Sequence, residues 1–294
     1  MNSLFSEDIK DKVCIITGGC GIFGNIFAQG LLQAGAKVAI IDYKKGRCED
    51  CAQFIAKKAK APVLCVVANV LEKETLLKAK EEINSELGKI DVLINGAGGN
   101  SPMATTKAEF ITNENINDLP NTFFGLDIEG FRNVFDLNFL GTVLPSMVFS
   151  EDMLGRGGVI INISSMNSFR PLTKIPAYSA AKASINNFTE WLAVHFAKVN
   201  IRVNAIAPGF FLTRQNEFLL VDDKTKELTG RGKSIISKTP MGRFGNPEEL
   251  VGTLYYLISD ASKFVTGIVI PVDGVLMLIP EFSSVHLSVL SASW

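Results

Sequence analysis

Tyr178 and Lys182 stand four residues apart in a segment patterned as a helix, and Ser165 lies thirteen residues before Tyr178 at the end of an apolar run. Positions i and i+4 share a helix face, so the Lys182 ammonium can lie under the Tyr178 ring. A phenol titrates near ~10. A neighbouring cation favours the phenolate, so Lys182 is expected to lower the Tyr178 pKa toward the range of a general acid or base. Ser165 can hydrogen-bond the substrate oxygen that Tyr178 protonates or deprotonates. Such a triple makes a proton donor without histidine or metal. Tyr-x-x-x-Lys is common on helices, so its meaning rests on what surrounds it.

A second constellation lies near the amino terminus. Thr17-Gly18-Gly19-Cys20-Gly21-Ile22-Phe23-Gly24 contains Gly19-x-Gly21-x-x-Gly24, the dinucleotide spacing, between an apolar run and an amphipathic segment. Glycines let backbone approach a pyrophosphate, and the N-terminus of the following helix favours its negative charge. Asp42 ends the next apolar run. A carboxylate there accepts from ribose hydroxyls and repels a 2′-phosphate, which points to NAD over NADP. Lys44 and Lys45 follow at once. They leave NADP open, or else simply begin a solvated helix.

Those two sites need a frame. Apolar runs at 13–17, 37–42, 63–68, 90–95, 158–164, 201–206 and 267–272 alternate with helical segments at 18–34, 46–60, 72–87, 128–152, 176–198 and 247–258. Continuously apolar strands separated by helices predict an α/β fold: a doubly wound, seven-stranded parallel sheet covered on both faces. Two polar excursions, 99–127 and 209–246, each follow a strand, so both should emerge at the carboxyl edge where ligands bind. Residues 1–274 then form one dinucleotide-binding and catalytic domain, and 275–294 an atypical tail.

Bulk properties exclude several classes. A net charge of −1 leaves no electrostatic footprint for nucleic acid. No apolar run of membrane-spanning length occurs, and the acidic start lacks a signal-peptide core. Five cysteines, an odd number confined to the first 65 residues, fit a reducing cytoplasm better than a disulfide framework. Cys48-x-x-Cys51 has no second pair, and the chain has only two histidines. A zinc site is therefore not expected, and the two cysteines read as small residues on a helix. His195 and His286 read as structural, and neither accompanies a nucleophile-elbow sequence.

Together these residues resemble the short-chain dehydrogenase/reductase family over about residues 10–274. The matching positions are Thr17-Gly18 with Gly24, Asn95-Gly96-Ala97-Gly98, Asn138, Ser165, Tyr178, Lys182, and Pro208-Gly209 followed by Thr213. The resemblance implies that Asn138 holds a water relaying protons to Lys182. It implies that Lys182 also anchors the nicotinamide ribose, that Pro208, Gly209 and Thr213 contact the nicotinamide end, and that Asn95 and Gly98 line the cofactor cleft. Ile22 and Phe23 complete the glycine turn. Asn69, with Val70 beside it, stands where the family has an adenine-contacting aspartate, and Gly96 replaces an asparagine. The family commonly forms homo-oligomers, tetramers or dimers, and a tail such as 275–294 can pack across subunits.

A finer resemblance, to the D-mannonate oxidoreductase (fructuronate reductase) subgroup, rests on Asn-Gly-Ala-Gly-Gly-Asn at 95–100, Ser-Ser-Met-Asn-Ser-Phe at 164–169 and Pro-Gly-Phe-Phe-Leu-Thr at 208–213. It implies reversible hydride transfer between NAD(H) and a keto sugar acid. A sugar acid needs a cation and hydrogen-bond partners. Arg214, Asn100 and Asn167 are the candidates, with Arg170 and Lys174 as further cations that have a solvated-loop reading. Phe210 and Phe211 can instead line an acyl-chain pocket, which would favour a 3-ketoacyl reductase or another alcohol dehydrogenase. A non-catalytic NAD-binding sensor is the alternative of another class. The complete Asn138–Ser165–Tyr178–Lys182 set argues against it, since a pure binder needs no tuned phenol.

Overall fold

The computed structural model describes residues 5–213 and 217–278. Arg214 and the tail beyond 278, His286 included, lie outside the described residues.

Seven parallel strands form one sheet: β1 (Val13–Thr17), β2 (Lys37–Asp42), β3 (Leu64–Val67), β4 (Val92–Asn95), β5 (Gly158–Ile163), β6 (Ile201–Pro208) and β7 (Val269–Val272). Their spatial order is β3-β2-β1-β4-β5-β6-β7. The order reverses between β1 and β4, so a crevice opens there at the carboxyl ends of the strands.

The helices are α1 (Ser6–Ile9), α2 (Ile22–Gln33), α3 (Lys45–Ala59), α4 (Lys73–Glu86), α5 (Ile128–Phe135), α6 (Gly141–Phe149), α7 (Pro176–Phe196), α8 (Glu217–Leu220), α9 (Gly230–Ser237) and α10 (Glu249–Ile258). Strand alternation divides the core in two. Cys14, Ile16, Val38, Ile40, Val92 and Ile94 point to the face covered by Phe27 and Leu31 of α2, Ile55 of α3 and Leu250 and Leu254 of α10. Val13, Ile15, Ala39, Ile41, Leu93 and Ile160 point to the face covered by Leu76 and Ile83 of α4, Phe149 of α6 and Leu192 of α7. Each Val, Leu, Ile or Phe among them contributes about 1.5–3 kcal/mol on burial, which explains why the strands read as unbroken apolar runs.

The structure departs from the sequence reading at two places here. The segment 128–152 is not one helix: a π-turn, Asp136–Leu140, separates α5 from α6. Its cause is local. Asn138 Nδ2 donates to Val134 O at 2.7 Å and competes for the carbonyl that an α-helix would give to the Asn138 amide. The second correction concerns the cysteines. Cys48 of α3 and Cys65 of β3 are joined in a disulfide, with Cα atoms 5.8 Å apart, whereas the sequence pointed to reduced thiols. Helix α3 packs over β3, a tertiary contact that no cysteine spacing reveals. Cys14, Cys20 and Cys51 are free.

A buried polar network ties the two central strands to the helices beneath the crevice. Asn95 Nδ2 donates to Asn162 Oδ1 at 2.8 Å and to Ser146 Oγ of α6 at 2.9 Å. Asn162 Nδ2 donates to Thr189 Oγ1 of α7 at 2.9 Å. Asn162→Ala strips a partner from both Asn95 and Thr189. It should cost about 1–3 kcal/mol, read as a lower urea midpoint with unchanged secondary structure.

Candidate active site

The glycine turn is built by close backbone approach. Gly18 has φ +63°, and a Cβ there would lie 2.8 Å from Ala97 Cα. A Cβ on Gly24 would lie 2.6 Å from Gly18 O. These contacts press the β1 turn, the first turn of α2 and the segment 96–98 against one another. Gly21 caps α2, and the first N–H groups of that helix lack intrahelical acceptors. With the helix dipole behind them, they suit a pyrophosphate. Asp42 is 6 % exposed at the end of β2 and accepts from Lys44 N at 3.3 Å. The residues present therefore fit a dinucleotide.

The side chains of two expected cofactor residues are turned away from the cleft. Thr17 is fully buried, and its Oγ1 accepts from Gly96 N at 3.2 Å and Ala97 N at 3.3 Å. Asn95 is 1 % exposed and belongs to the network under the floor. Both side chains brace the cleft instead of lining it, because strand-end side chains on this face point into the core. Asn69 already engages its amide: Oδ1 accepts from Leu71 N at 3.1 Å, and Nδ2 donates to Glu72 Oε1 at 2.7 Å. One acceptor site on that oxygen remains. Val70 is buried beside Gly141. Phe23 meets Phe211 edge-on at 5.7 Å, so apolar packing sets its place after Ile22. Gly209 N donates to Val272 O at 2.9 Å where Pro208 ends β6, and Thr213 precedes α8.

Sequence reasoning missed Arg47. Its Nε lies 3.9 Å from Asp42 Oδ2, and its Nη2 donates to Cys20 O at 3.1 Å. The guanidinium thus bridges the carboxylate and the glycine turn. Only the docking of α3 beside β2 reveals this.

On the other side of the crevice, Lys182 is 4 % exposed. Its Nζ donates to Ile163 O at 2.7 Å and lies 5.6 Å from the Tyr178 ring centroid. Asn138 sits on the π-turn, where Nδ2 also donates to Gly99 O at 2.7 Å and Oδ1 accepts from Gly99 N at 3.2 Å. Gly98 lies between the two: a Cβ there would be 2.5 Å from Asn138 Oδ1 and 3.4 Å from Lys182 Nζ. Ser165 Oγ accepts from Asn167 N at 3.2 Å. The turn after Ser165 is held by Ser168 Oγ, which donates to Ser165 O at 2.6 Å and accepts from Asn186 Nδ2 of α7 at 2.8 Å. The structure thus brings Asn138, Ser165, Tyr178 and Lys182 to one place, opposite the glycine turn.

The electrostatics differ from expectation. Burial pushes the Tyr178 phenol above 10, and the Ser165 hydrogen bond only opposes this. Burial pulls Lys182 from 10.5 down to about 7. Lys182 was expected to lower the phenol. Its Nζ lies against the ring face as expected, but it is itself buried and gives its hydrogen bond to Ile163 O, so in this pair desolvation outweighs attraction.

The substrate-side candidates spread out. Asn167 is 7 % exposed, and its Oδ1 has no hydrogen-bond partner among the described residues. Asn100 is exposed and donates to Thr105 Oγ1 at 2.8 Å. Arg170 is exposed on the loop after Ser165, and Lys174 O accepts from Thr106 N at 3.0 Å. Thr173 Oγ1 donates to Glu109 Oε1 at 3.1 Å. The two latter bonds pin the excursion 99–127 to the serine loop. Phe211 is buried, with its ring against Phe23 and the Gly245 backbone, while Phe210 packs with Leu220 and Ile235. The same two rings line a cavity with Met241, Arg243, Gly245 and Val272.

Residues 21–275 match a sequence model described as enoyl-(acyl carrier protein) reductase, of the short-chain dehydrogenase/reductase family. The chain belongs to the short-chain dehydrogenase/reductase family. A protein of Haemophilus influenzae named "Uncharacterized oxidoreductase" is 49% identical over 279 residues, covering 93% of this chain and 96% of the relative. Bacillus subtilis "Uncharacterized oxidoreductase UxuB" is 48% identical, covering 92% and 96%. Among solved structures, a Haemophilus influenza protein described provisionally as a D-mannonate oxidoreductase, crystallised with bound NAD, superposes with TM-score 0.88. It is 46% identical, over 95% of this chain and 99% of that one. As a family member, the chain is an oxidoreductase acting on CH–OH groups. Among the described residues no helix is long and apolar enough to cross a membrane, and no cluster of metal-ligating side chains occurs.

Two outcomes test the site. Gly98→Ala puts a methyl group against Asn138 and Lys182; turnover should fall by roughly 10²-fold, the scale of an ångström misplacement, with an unchanged melting temperature. Lys182 has a depressed folded pKa, so the unfolded chain binds more protons between pH 7 and 10.5. Stability from this residue therefore rises as pH climbs through that window. Urea titrations of the wild type and Lys182→Met should show the wild type gaining relative to the variant from pH 7 upward.

Proposed function

We propose that this chain is an NAD-dependent oxidoreductase that interconverts a keto sugar acid and its hydroxy acid, with D-fructuronate and D-mannonate as the pair. The observation that carries the chemistry is the convergence of Ser165, Tyr178, Lys182 and Asn138 opposite a glycine turn backed by Asp42. Likeness to a protein described provisionally as a D-mannonate oxidoreductase supports the substrate.

The cofactor would lie along Gly18, Gly19, Gly21 and the start of α2, with its adenosine ribose at Asp42 and its nicotinamide end near Lys182, Pro208, Gly209 and Thr213. Bound there, the nicotinamide supplies or accepts the hydride. The chain's own residues handle the oxygen. Ser165 Oγ already accepts the Asn167 N–H, and its proton can be donated to Tyr178 or to a substrate carbonyl oxygen. Tyr178 donates the proton that completes the alcohol, or removes it in the oxidative direction. Because burial holds the phenol protonated, the apoenzyme is poised as an acid. Lys182 holds the ring from beneath, and Asn138 fixes the neighbouring backbone at Gly99 and can pass a proton through water toward Lys182.

For the substrate, Asn167 Oδ1 supplies a buried acceptor beside Ser165 that suits a sugar hydroxyl, and Arg214 is the cation proposed for the carboxylate.

NADH oxidation with D-fructuronate, set beside acetoacetyl thioester and neutral ketoses, decides between sugar acid and acyl chain. A clear preference for fructuronate is expected; turnover of the thioester alone would discard the sugar-acid reading and keep the family chemistry. Tyr178→Phe should lower kcat by ~10²–10⁴-fold with little change in NADH affinity. Asp42→Ala should raise the use of NADPH relative to NADH, because Arg47 then faces the 2′-position without a competing carboxylate.

A further inference from the structure

Ser165 stands where the sheet no longer holds the chain. The ladder between β5 and β6 ends with Ser164 N, which donates to Ile206 O at 2.8 Å. Ser165 is the next residue, and it opens a single 3₁₀ turn, Met166–Ser168. That turn's own bond, Ser168 N to Ser165 O, is 3.0 Å long. Such turns have poorer hydrogen-bond geometry than an α-helix. The reaction proposed above nevertheless needs the Ser165 hydroxyl at a fixed place.

Three polar side chains with no part in that reaction close around the turn. Ser168 Oγ donates to Ser165 O at 2.6 Å, Asn186 Nδ2 donates to Ser168 Oγ at 2.8 Å, and Ser164 Oγ donates to Asn186 Oδ1. Ser164 is buried. The directions are set by the inventory of protons, since each hydroxyl has one. A carbonyl only accepts, so the Ser168 proton goes to Ser165 O. Ser168 Oγ must then receive from the Asn186 amide, which turns Asn186 Oδ1 toward the Ser164 hydroxyl. The three bonds run one way, from Ser164 through Asn186 and Ser168 to the carbonyl of Ser165.

Asn186 is also the third member of a stripe. Tyr178, Lys182 and Asn186 fall at i, i+4 and i+8 of α7, on one helix face. Lys182 Nζ takes Ile163 O at 2.7 Å. Asn186 takes Ser164 and, through Ser168, Ser165. One face of one helix thus holds three consecutive residues at the end of β5. We propose that Asn186 is a positioning residue for the reaction: acting through Ser168, it fixes the Ser165 hydroxyl relative to Tyr178 on the same helix. The inference rests on the catalytic roles assigned to Ser165 and Tyr178.

The test uses the full-length protein and whichever of D-fructuronate, acetoacetyl thioester and neutral ketoses the wild type reduces. Asn186→Leu removes both amide bonds with little change of shape. Ser168→Ala is the smaller change and removes the link to Ser165 O. Each should lower kcat by roughly tenfold, part of the cost of an ångström misplacement, with NADH affinity unchanged by fluorescence. In a Ser165→Ala background neither should lower kcat further, because a residue that acts through Ser165 then has nothing left to position. Amide exchange of the peptide 165–168 should quicken in Asn186→Leu, a readout that needs no substrate. The proposal is overturned by wild-type kcat in both variants, by unchanged exchange, or by losses that add in full to that of Ser165→Ala, as a purely structural role predicts. Full turnover in Ser165→Ala would overturn the catalytic reading itself and this proposal with it. A preference for the thioester would change only the substrate.

Discussion

The contact between the end of β1 and the end of β4 governs the rest of the molecule. Gly18 can approach the Gly96–Ala97 backbone only because it has no Cβ and adopts φ +63°. Thr17 Oγ1 locks the approach by accepting two amides from the opposite strand end. That contact lies where the strand order reverses, so it brings the helix N-terminus of one half of the sheet toward the reactive side chains of the other. Without it, the glycine turn and the Tyr178 helix would be two separate features.

The catalytic side is held at a cost. A lysine that is 4 % exposed and pulled down to about 7 does not stabilise the fold. It is retained by a backbone carbonyl, the Tyr178 ring and a glycine that leaves room for its head. Asn138 shows the same trade: its side chain takes a helix carbonyl and breaks helical regularity, and in return it reaches Gly99 across the crevice. The buried amides of Asn95 and Asn162, with Thr189 and Ser146, supply the rigid floor that these departures require. Asn95 Oδ1 is the one atom of this network with no hydrogen-bond partner among the described residues.

The excursion 99–127 is a second layer on this frame. Its backbone and Glu109 bond to the loop that follows Ser165, so this segment is tied to the one that carries the serine. The cysteine-bearing helix α3 plays the matching part on the cofactor side, where Arg47 and Cys51 both reach the glycine turn.

Read alone, the chain determined its sheet, its helix-strand alternation, the glycine turn and the set Asn138, Ser165, Tyr178 and Lys182. Each of these follows from a local regularity: two-sided burial makes strands uniformly apolar, tight turns need glycine, and an i, i+4 pair shares a helix face. Tertiary structure alone decided which polar side chains face the cleft and which brace it. Thr17 and Asn95 occupy positions that look like cofactor ligands in sequence, but the pleat at the strand ends turns them inward. The sign of the Tyr178 shift likewise depended on burial and on where Lys182 Nζ finds its hydrogen bond. The Cys48–Cys65 bond, the reach of Arg47 to Asp42 and the approach of Cys51 Sγ to Gly19 O all come from α3 docking on the sheet. That contact joins residues distant in sequence, and its register is set by packing, which no spacing in the chain records.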